Sequence, residues 1–273
     1  MVVIREDRYA SQLQPAGLVA ALSAAGHVVT VVGGDADVAR GPARLRAVMA
    51  RADVIVGRGR STGVLTALGT AAGLGVPVID TAEAVCGVRD KAAMARILSR
   101  AGVPTPATFF APIETLVERV PARSYPLILK PVHGDNARGL RIVRSREELS
   151  HLRWPERPAL AQSYLPGSGM DLKLYVIGGH VAAVRKPSPI TPAASSEVQQ
   201  VPLDDRLGEL ARTCGRLFGL TVFGVDCLET NRGPLVIEVN DFPNFTAVPG
   251  ADALLARHVL AAAARRTDRR GPR

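Results

Sequence analysis

Short apolar runs alternate with helical patterns through the first 80 residues. The runs are rich in Val and Ile, and most are followed by a stretch in which apolar residues recur every three or four positions. Regular alternation of this kind predicts a parallel sheet covered by helices. The predicted strands are 2–4, 27–32, 53–56 and 76–79, and the predicted helices are 15–25, 45–51 and 62–72.

From residue 82 onward the pattern changes. One helical pattern runs from Ala82 to Ala101 with Lys91 early in it, and Gly102 ends it. Short strands joined by Gly and Pro turns then dominate, so we place a domain boundary near residue 88. The strands predicted here are 125–131, 140–143, 159–165, 171–177 and 181–185, and the helices are 147–152, 204–218 and 251–264.

One stretch of this second part carries the clearest chemistry. Phe223–Leu228 and Leu235–Val239 are apolar runs on either side of the turn-like residues 230–233, which predicts a β-hairpin. With the turn centred near Arg232, Asp226 falls opposite Glu238, and Asn240 shares the strand face of Glu238. Two carboxylates and an amide oxygen suit a hard cation such as Mg²⁺. The alternative is a sheet face that simply turns its acidic side chains to water.

The first domain offers no dinucleotide fingerprint. Gly33-Gly34 is not GxGxxG, and Gly57-Arg58-Gly59 lacks the third glycine. Arg5, Arg58 and Arg60 follow predicted strand ends, where open α/β sheets bind ligands. They are therefore either contacts for an anionic substrate or ordinary exposed arginines.

Composition narrows the possible classes of protein further. The chain has 273 residues, 47% of them hydrophobic, without an apolar run long enough to span a membrane. Its three cysteines show no metal-binding spacing, which predicts reduced thiols in a cytoplasmic protein. The net charge is +9, but part of it lies in the Arg-rich tail 265–273, predicted to be disordered. No aromatic platform accompanies that tail, so a nucleic-acid partner is not expected, whereas an anionic ligand fits the basic body.

Lysine is scarce, and its positions are informative. Only four of the 34 basic residues are Lys, at 91, 130, 173 and 186. A chain that otherwise uses Arg is expected to keep Lys where a compact ammonium group is needed. Lys130 ends a strand before the glycine-bracketed loop HGDNARG, residues 133–139, whose N–H groups could wrap phosphates. A plain hairpin loop is the alternative.

Two segments further along the chain add to the predicted site. Asp171 and Lys173 share one face of a predicted strand. They could bind a sugar hydroxyl and a phosphate, or they could form an ordinary ion pair. Residues 187–200, PSPITPAASSEVQQ, are rich in Pro and Ser, and we predict a mobile loop that carries substrate specificity.

In combination, these motifs resemble a known superfamily. LILKP, a glycine loop, AQSYL, DLKLYVIGG, FGVD and VIEVN follow in the order seen in ATP-grasp proteins, and the chain is similar to the RimK-like glutamate ligases from Met1 to about Leu260. The resemblance implies an α/β protein: an open parallel-sheet domain followed by an α+β ATP-grasp fold of two subdomains. The implied divisions are an N-terminal domain 1–88, a small subdomain 89–165, a C-terminal subdomain 166–264 and the tail 265–273.

The resemblance also assigns roles to residues. Asp226, Glu238 and Asn240 match the Mg²⁺ ligands, for which Mn²⁺ is an alternative ion. Lys173 is expected to neutralise the transferring phosphoryl group, and Arg185 to steady an acyl phosphate. Contact with ATP is expected from Lys91, Lys130, His133, Gly134, Gly139, Gln162, Ser163, Tyr164, Leu165, Asp171, Lys186 and Ser188.

Some positions depart from the family pattern. Ser163 stands where the hinge usually has Glu, which removes a side-chain acceptor for adenine. PSPITPAASSEVQQ replaces the usual Arg-Ser-Asn and His-Arg-Gly-Gly stretch, and Asn244 stands where Gly is common. These changes leave the acceptor substrate open and remove a contact that the family makes to phosphate. Ser188 is the candidate to replace that phosphate contact.

The activity implied is that of an ATP-dependent carboxylate–amine ligase. Its partners would be small-molecule or peptide carboxylates and amines, with a homo-oligomer as one form. The sequence leaves two alternatives open. VRKPSP and NDFPNFTAVPG also resemble ATP-grasp inositol-polyphosphate kinases, which would make the acceptor a small anionic polyol, and a non-catalytic Mg-ATP-binding protein is the other.

Overall fold

A computed structural model describes residues 1–134, 138–191 and 197–270, and these form three sheets. The first is a four-stranded parallel sheet of order β2-β1-β3-β4. Its strands are β1 (Val2–Arg5), β2 (Thr30–Gly33), β3 (Ile55–Arg58) and β4 (Val78–Ile79). Its helices are α1 (Leu13–Ala24), α2 (Gly34–Arg40), α3 (Pro42–Arg51) and α4 (Thr62–Gly73). The predicted open parallel sheet is confirmed.

A small antiparallel sheet follows, of order β5-β8-β6-β7. It is reached through α5 (Ala82–Gly87) and α6 (Lys91–Arg100), and two further helices, α7 (Ile113–Arg119) and α8 (Arg146–His151), lie between its strands in sequence. Leu116, Leu149 and Trp154 pack with the sheet's apolar side chains into one core. The strands are β5 (Thr108–Ala111), β6 (Leu127–Lys130), β7 (Arg141–Val143) and β8 (Ala159–Ser163).

The third sheet is antiparallel, of order β11-β10-β9-β12-β13. Its strands are β9 (Met170–Ile177), β10 (His180–Pro187), β11 (Gln199–Val201), β12 (Val222–Thr230) and β13 (Gly233–Asp241), with α9 (Asp205–Phe218) and α10 (Ala251–Arg270). Leu172, Leu174 and Val176 of β9 pack with α9 in one core. Tyr175 and Ile177, on the opposite face of β9, belong to a second core that includes α1 and α10. Because successive side chains of a strand point to opposite faces, one face of this sheet packs against α9 and the other packs toward the first domain.

Helices α1 and α10 cross closely. A Cβ at Gly17 of α1 would collide with the Asp252 carboxylate of α10, and Gln14 Nε2 donates to Asp252 Oδ1 at 3.0 Å. The last helix of the chain therefore helps to cover the first sheet. None of the helices that the structure describes is long and apolar enough to cross a membrane.

Several predicted elements need correction. The single helix predicted for 82–101 is two helices, and α2, which begins at Gly34, was not predicted. The tail predicted to be disordered from residue 265 continues α10 to Arg270, and Arg266 is buried with hydrogen bonds to the Ala50 and Ala52 carbonyls.

Other predictions fall partly outside the described residues. Within the predicted loop 187–200, residues 199 and 200 belong to β11, while 192–196 lie outside the described part, as do 135–137 of the glycine loop and 271–273 of the tail. The proposed boundaries at 88, 165 and 264 stay predictions.

Candidate functional site

The β12–β13 hairpin carries the predicted oxygen ligands on one face. Asp226 is directly opposite Glu238, and Asn240 is opposite Gly224 in the next pair on that face. Asn240 Nδ2 approaches Asp226 Oδ2 at 3.4 Å. The predicted juxtaposition of the three side chains is therefore present.

A β-bulge produces this register. The two-residue turn pairs Thr230 with Gly233, and uninterrupted pairing from that turn would place Asp226 opposite Ile237. A register shift between Asp226 and Cys227 moves the partner of Asp226 to Glu238. One extra residue in one strand re-aims the side chains beyond it, a common role of bulges beside functional sites.

Each hairpin carboxylate has a lysine partner. Lys91, the first residue of α6, forms an ion pair with Glu238. Lys173 of β9 lies opposite Asp226, with Nζ to Oδ1 at 3.0 Å. Burial lowers the pKa of Lys173, but the Asp226 carboxylate more than offsets this, and the net shift is upward. Both ammonium groups are therefore held at the oxygen ligands.

Lys130 is the buried cation of the site. Its residue is 9% exposed at the end of β6, and Nζ donates to Gln162 Oε1 at 2.7 Å. Gln162 in turn donates from Nε2 to Thr108 Oγ1 at 3.0 Å. Burial lowers the pKa of Lys130 to about 8, partly offset by the negative charge of Glu238. An amine so placed is short of a negative partner and suited to an anionic ligand.

A third group occupies the paired ends of β9 and β10. Asp171 lies opposite Lys186, whose Nζ is 5.3 Å from the centre of the Tyr175 ring. Burial raises the pKa of Asp171, although a hydrogen bond from Ser188 and the charge of Lys173 oppose that shift. The structure thus brings Asp171, Lys173, Lys186 and Ser188 into one area.

The predicted hinge follows β8. The Ser163 N–H donates to the Ala107 carbonyl and the Tyr164 N–H donates to the Pro126 carbonyl, both at 2.8 Å. Leu165 lies shortly after the end of β8 and is 39% exposed. Within the described part of the chain its N–H donates to no backbone carbonyl. The predicted contact of this segment with adenine stays a prediction.

The described ends of the glycine loop lie near Pro131. The Gly134 N–H donates to the Pro131 carbonyl at 3.2 Å, and Gly139 has φ +74°, with its Cα close to the Pro131 ring. His133 Nδ1 lies 3.4 Å from the Arg89 carbonyl oxygen. Their predicted contact with phosphate stays a prediction.

Arg185 is not brought to this site, so its predicted catalytic place is wrong. It lies opposite Leu172, on the α9 side of the sheet, whereas Lys186 faces the carboxylates. Its Nε and Nη2 donate to Glu229 at 2.6 and 2.8 Å. Adjacent strand residues point to opposite faces, so Arg185 and Lys186 cannot share one site.

Arg60, a predicted candidate for an anionic substrate, lies instead beside the oxygen ligands, and Asp241 is a residue of the site that the sequence pattern did not indicate. Arg60 follows β3, donates from Nη2 to Asn240 Oδ1 at 3.2 Å and forms an ion pair with Asp241. The available signal for Asp241 was its place directly after Asn240 on the hairpin strand. Through this contact the first domain reaches the hairpin face.

The donor set fits a hard divalent cation. No cluster of three His, Cys, Asp or Glu side chains occurs in residues 1–134, 138–191 and 197–270, and the Asn240 amide lies beside the Asp226 carboxylate as a further oxygen donor. Asn240 now turns Oδ1 toward Arg60 and Nδ2 toward Asp226, and a 180° amide rotation would exchange them. Asp226, Glu238 and Asn240 would then hold the cation through oxygen atoms alone.

Comparisons with known proteins cover most of the chain. Residues 88–254 match the model of the RimK-like ATP-grasp domain. A probable alpha-L-glutamate ligase of Parasynechococcus marenigrum (strain WH8102) is 30% identical over 193 residues, covering 65% of this chain and 41% of that protein. The probable alpha-L-glutamate ligase 1 of Shewanella amazonensis is 28% identical over 193 residues, with 65% and 64% covered. The matches thus span less than two thirds of the length of either curated relative.

Solved structures show the same fold. A RimK domain ATP-grasp protein from Sphaerobacter thermophilus has a TM-score of 0.72 at 22% identity, covering 95% of this chain and 99% of the other. D-alanine–D-alanine ligase from Bacillus anthracis, in complex with ATP, has a TM-score of 0.70 at 17% identity, with 99% and 98% covered. Together with the match to residues 88–254, this likeness leads to one assignment: the chain belongs to the RimK-like ATP-grasp family.

Proposed function

We propose that this chain is an ATP-dependent ligase that joins a carboxylate to an amine and releases ADP and phosphate. The observation that carries the proposal is the convergence of all four lysines with three oxygen ligands. Lys91 and Lys173 pair with the hairpin carboxylates and Lys186 faces Asp171, while the negative charge of Glu238 opposes the lowering of the Lys130 pKa by burial. This arrangement suits a polyphosphate and its cation.

The site residues would act on the nucleotide by position and charge. Asp226, Glu238 and Asn240 would hold Mg²⁺, with Mn²⁺ as a substitute, and the ion supplies neutralisation of phosphate charge when bound. Lys130 and Lys173 would hold the transferring phosphoryl group, with the glycine loop around it. Leu165 and its neighbours Gln162, Ser163 and Tyr164 would hold the adenine.

Two bond exchanges complete the reaction. A substrate carboxylate oxygen attacks the γ-phosphorus, and the bond from that phosphorus to the oxygen bridging the β-phosphate breaks. ADP departs, and the substrate has become an acyl phosphate. The substrate amine then attacks the acyl carbon, loses a proton and expels phosphate, which gives an amide. Catalysis requires positioning and charge stabilisation, without a covalent enzyme nucleophile.

The substrates are proposed from the relatives. Two curated relatives are named probable alpha-L-glutamate ligases, and one structural neighbour, the ATP-grasp ligase PsnB, was solved with a minimal precursor, Mg and ADP. An amino acid or a peptide end therefore suits this site as carboxylate or amine. We also propose a cytoplasmic location, from the three free cysteines, and a homo-oligomer as one form.

The test follows the γ-phosphate. The full chain is incubated with Mg-ATP and pooled amino acids, small carboxylates and polyol phosphates, and products are read by mass spectrometry. Free phosphate with a product equal to two substrates minus water is the expected result. Phosphate retained on a hydroxyl would establish a kinase, and bound Mg-ATP without cleavage would establish a binding protein; either result contradicts the proposal.

A further inference from the structure

Two arginines stand side by side at the edge of the first sheet. Arg5 ends β1 and Arg58 ends β3, and the parallel register pairs them directly. They share the sheet face of Val3 and Val56, which belong to the core formed with α10. This edge holds the carboxyl ends of the parallel strands, where open α/β sheets bind ligands.

Neither arginine has a carboxylate partner among the residues that the structure describes. Arg58 is 6% exposed, and its only hydrogen-bond acceptor there is neutral, Gln12 Oε1 at 3.0 Å from Nη2. Its guanidinium carbon lies 4.1 Å from the centre of the Tyr9 ring and 5.4 Å from that of Phe242. Arg58 Nε and Arg5 Nη1 are buried without an acceptor.

The nearby carboxylates are used elsewhere. Glu6 accepts from the Ser61 N–H at 2.7 Å and pairs with Arg8, and Asp241 pairs with Arg60. Arg58 is buried and Arg5 is half-buried, and a buried donor without an acceptor is costly unless a ligand supplies one. An anionic ligand would supply both the charge and the acceptors.

This edge adjoins the hairpin site. Phe242, beneath Arg58, follows Asn240 and Asp241 in the chain, and Arg60 contacts both of these residues. From these contacts we infer that Arg5 and Arg58 form an oxyanion subsite for a second anionic group of one substrate, separate from the group that reacts. The inference rests on the proposed ligase function and narrows its substrates to molecules with such a group, a carboxylate or a phosphate monoester.

Direct binding tests the subsite without turnover. The full chain is titrated by calorimetry with glutarate and, separately, with inorganic phosphate. Wild type is compared with Arg5→Gln, Arg58→Gln, Arg58→Lys and the control Arg212→Gln, an exposed arginine that pairs with Glu209 on α9. We expect binding of at least one probe to weaken by roughly tenfold to a hundredfold in both Gln variants, the effect of losing charge-assisted hydrogen bonds, and to be unchanged in the control.

The probe that binds more tightly identifies the carboxylate or the phosphate as the group recognised. Equal affinity in all five proteins, or no binding by wild type, overturns the subsite. Circular dichroism checks the folding of each variant. Arg5 is half-buried, so Arg5→Gln keeps the test decisive if Arg58→Gln does not fold.

Kinetics separates binding from a purely structural role. Once the mass-spectrometric assay names the substrates, the Gln variants are expected to raise KM for the anion-bearing substrate by roughly tenfold or more and to leave KM for ATP within about twofold. Arg58→Lys should recover part of that loss. A fall in kcat with both KM values unchanged overturns the subsite. Absence of turnover in wild type contradicts the ligase proposal instead, and the calorimetric result then decides the subsite alone.

Discussion

Glu238 and Asp226 each have two competing kinds of partner. In the described structure Lys91 and Lys173 neutralise them. A divalent cation between the two carboxylates would neutralise their negative charge in place of the lysines. Both ammonium groups would then be available to phosphate oxygens. Cation and nucleotide binding are therefore expected to reinforce each other.

The first residue-scale prediction concerns Glu238. Glu238→Gln keeps the size of the side chain but removes the charge that holds the cation. We expect ATP-dependent phosphate release to fall by roughly a hundredfold or more, since several kcal/mol of charge stabilisation are lost. Glu229→Gln is the matched control, because Glu229 lies on the same hairpin but pairs with Arg185 on the α9 side. Full activity in Glu238→Gln would rule out the metal assignment.

The second residue-scale prediction concerns the pH dependence of stability. Burial lowers the pKa of Lys130 from 10.5 to about 8, so between these values the unfolded chain binds a proton that the folded protein has released. The stability of wild type relative to Lys130→Met should therefore rise as pH increases from about 8 to 10.5, by at most about 3 kcal/mol. Urea unfolding of both proteins at four pH values measures the difference. A difference independent of pH would contradict the lowered pKa.

At the scale of elements, the site hairpin shows how far the sequence alone leads. Apolar runs and a turn composition predicted the hairpin, and the pairing of Asp226 with Glu238 is confirmed. The prediction reached this pairing by centring the turn at Arg232. The actual turn pairs Thr230 with Gly233, which would shift the pairing by one residue, and the bulge shifts it back so that Asp226 faces Glu238. Bulges depend on the packing of both strands, so a one-strand pattern does not reveal them.

The helix predicted for 82–101 fails for a local reason. Asp90 interrupts it, because its Oδ1 accepts hydrogen bonds from the N–H groups of Ala92 and Ala93 at 2.8 and 2.9 Å. Asp competes with helix hydrogen bonding in this way and favours the N-cap position. The break shapes the candidate site, since it makes Lys91 the first residue of α6 and places it at Glu238.

The element-scale prediction uses this cap. Asp90→Ala should cost about 1 kcal/mol of stability and should also weaken nucleotide binding, because the start of α6 positions Lys91. Ser145→Ala removes the equivalent cap of α8 and should lower stability without a change in nucleotide affinity. Thermal unfolding and calorimetric titration with Mg-ADP measure the two quantities. Equal nucleotide affinity in both variants would show that the cap does not position Lys91.

At the scale of the whole molecule, Asp80 connects the first domain to the third sheet. It follows β4, is 7% exposed, and accepts from the Thr221 N–H at 2.9 Å, the Thr221 hydroxyl at 2.6 Å and the Val222 N–H at 3.0 Å. Burial raises its pKa, and these three donors oppose the shift. One carboxylate thus satisfies the backbone where β12 begins.

Asp80→Asn should destabilise the whole chain. An amide keeps one acceptor oxygen, and its NH₂ group would face a backbone or hydroxyl donor, which we expect to cost roughly 1–3 kcal/mol. The matched substitution Asp35→Asn should have little effect, because exposed Asp35 accepts one hydrogen bond, from Gly63, through an oxygen that Asn retains. Denaturant unfolding compares the two, and similar midpoints would contradict the connecting role of Asp80.

The contact of α10 with the first domain has a consequence for synthesis on the ribosome. The core beside the first sheet combines Val3, Val56 and Ile79 with Leu255 and Val259 of the last helix. The N-terminal part of the chain therefore emerges with one apolar sheet face incompletely covered, and this core is complete only when α10 has been translated, about 170 residues later. During that interval the nascent chain depends on chaperones or on provisional contacts of its own to avoid aggregation.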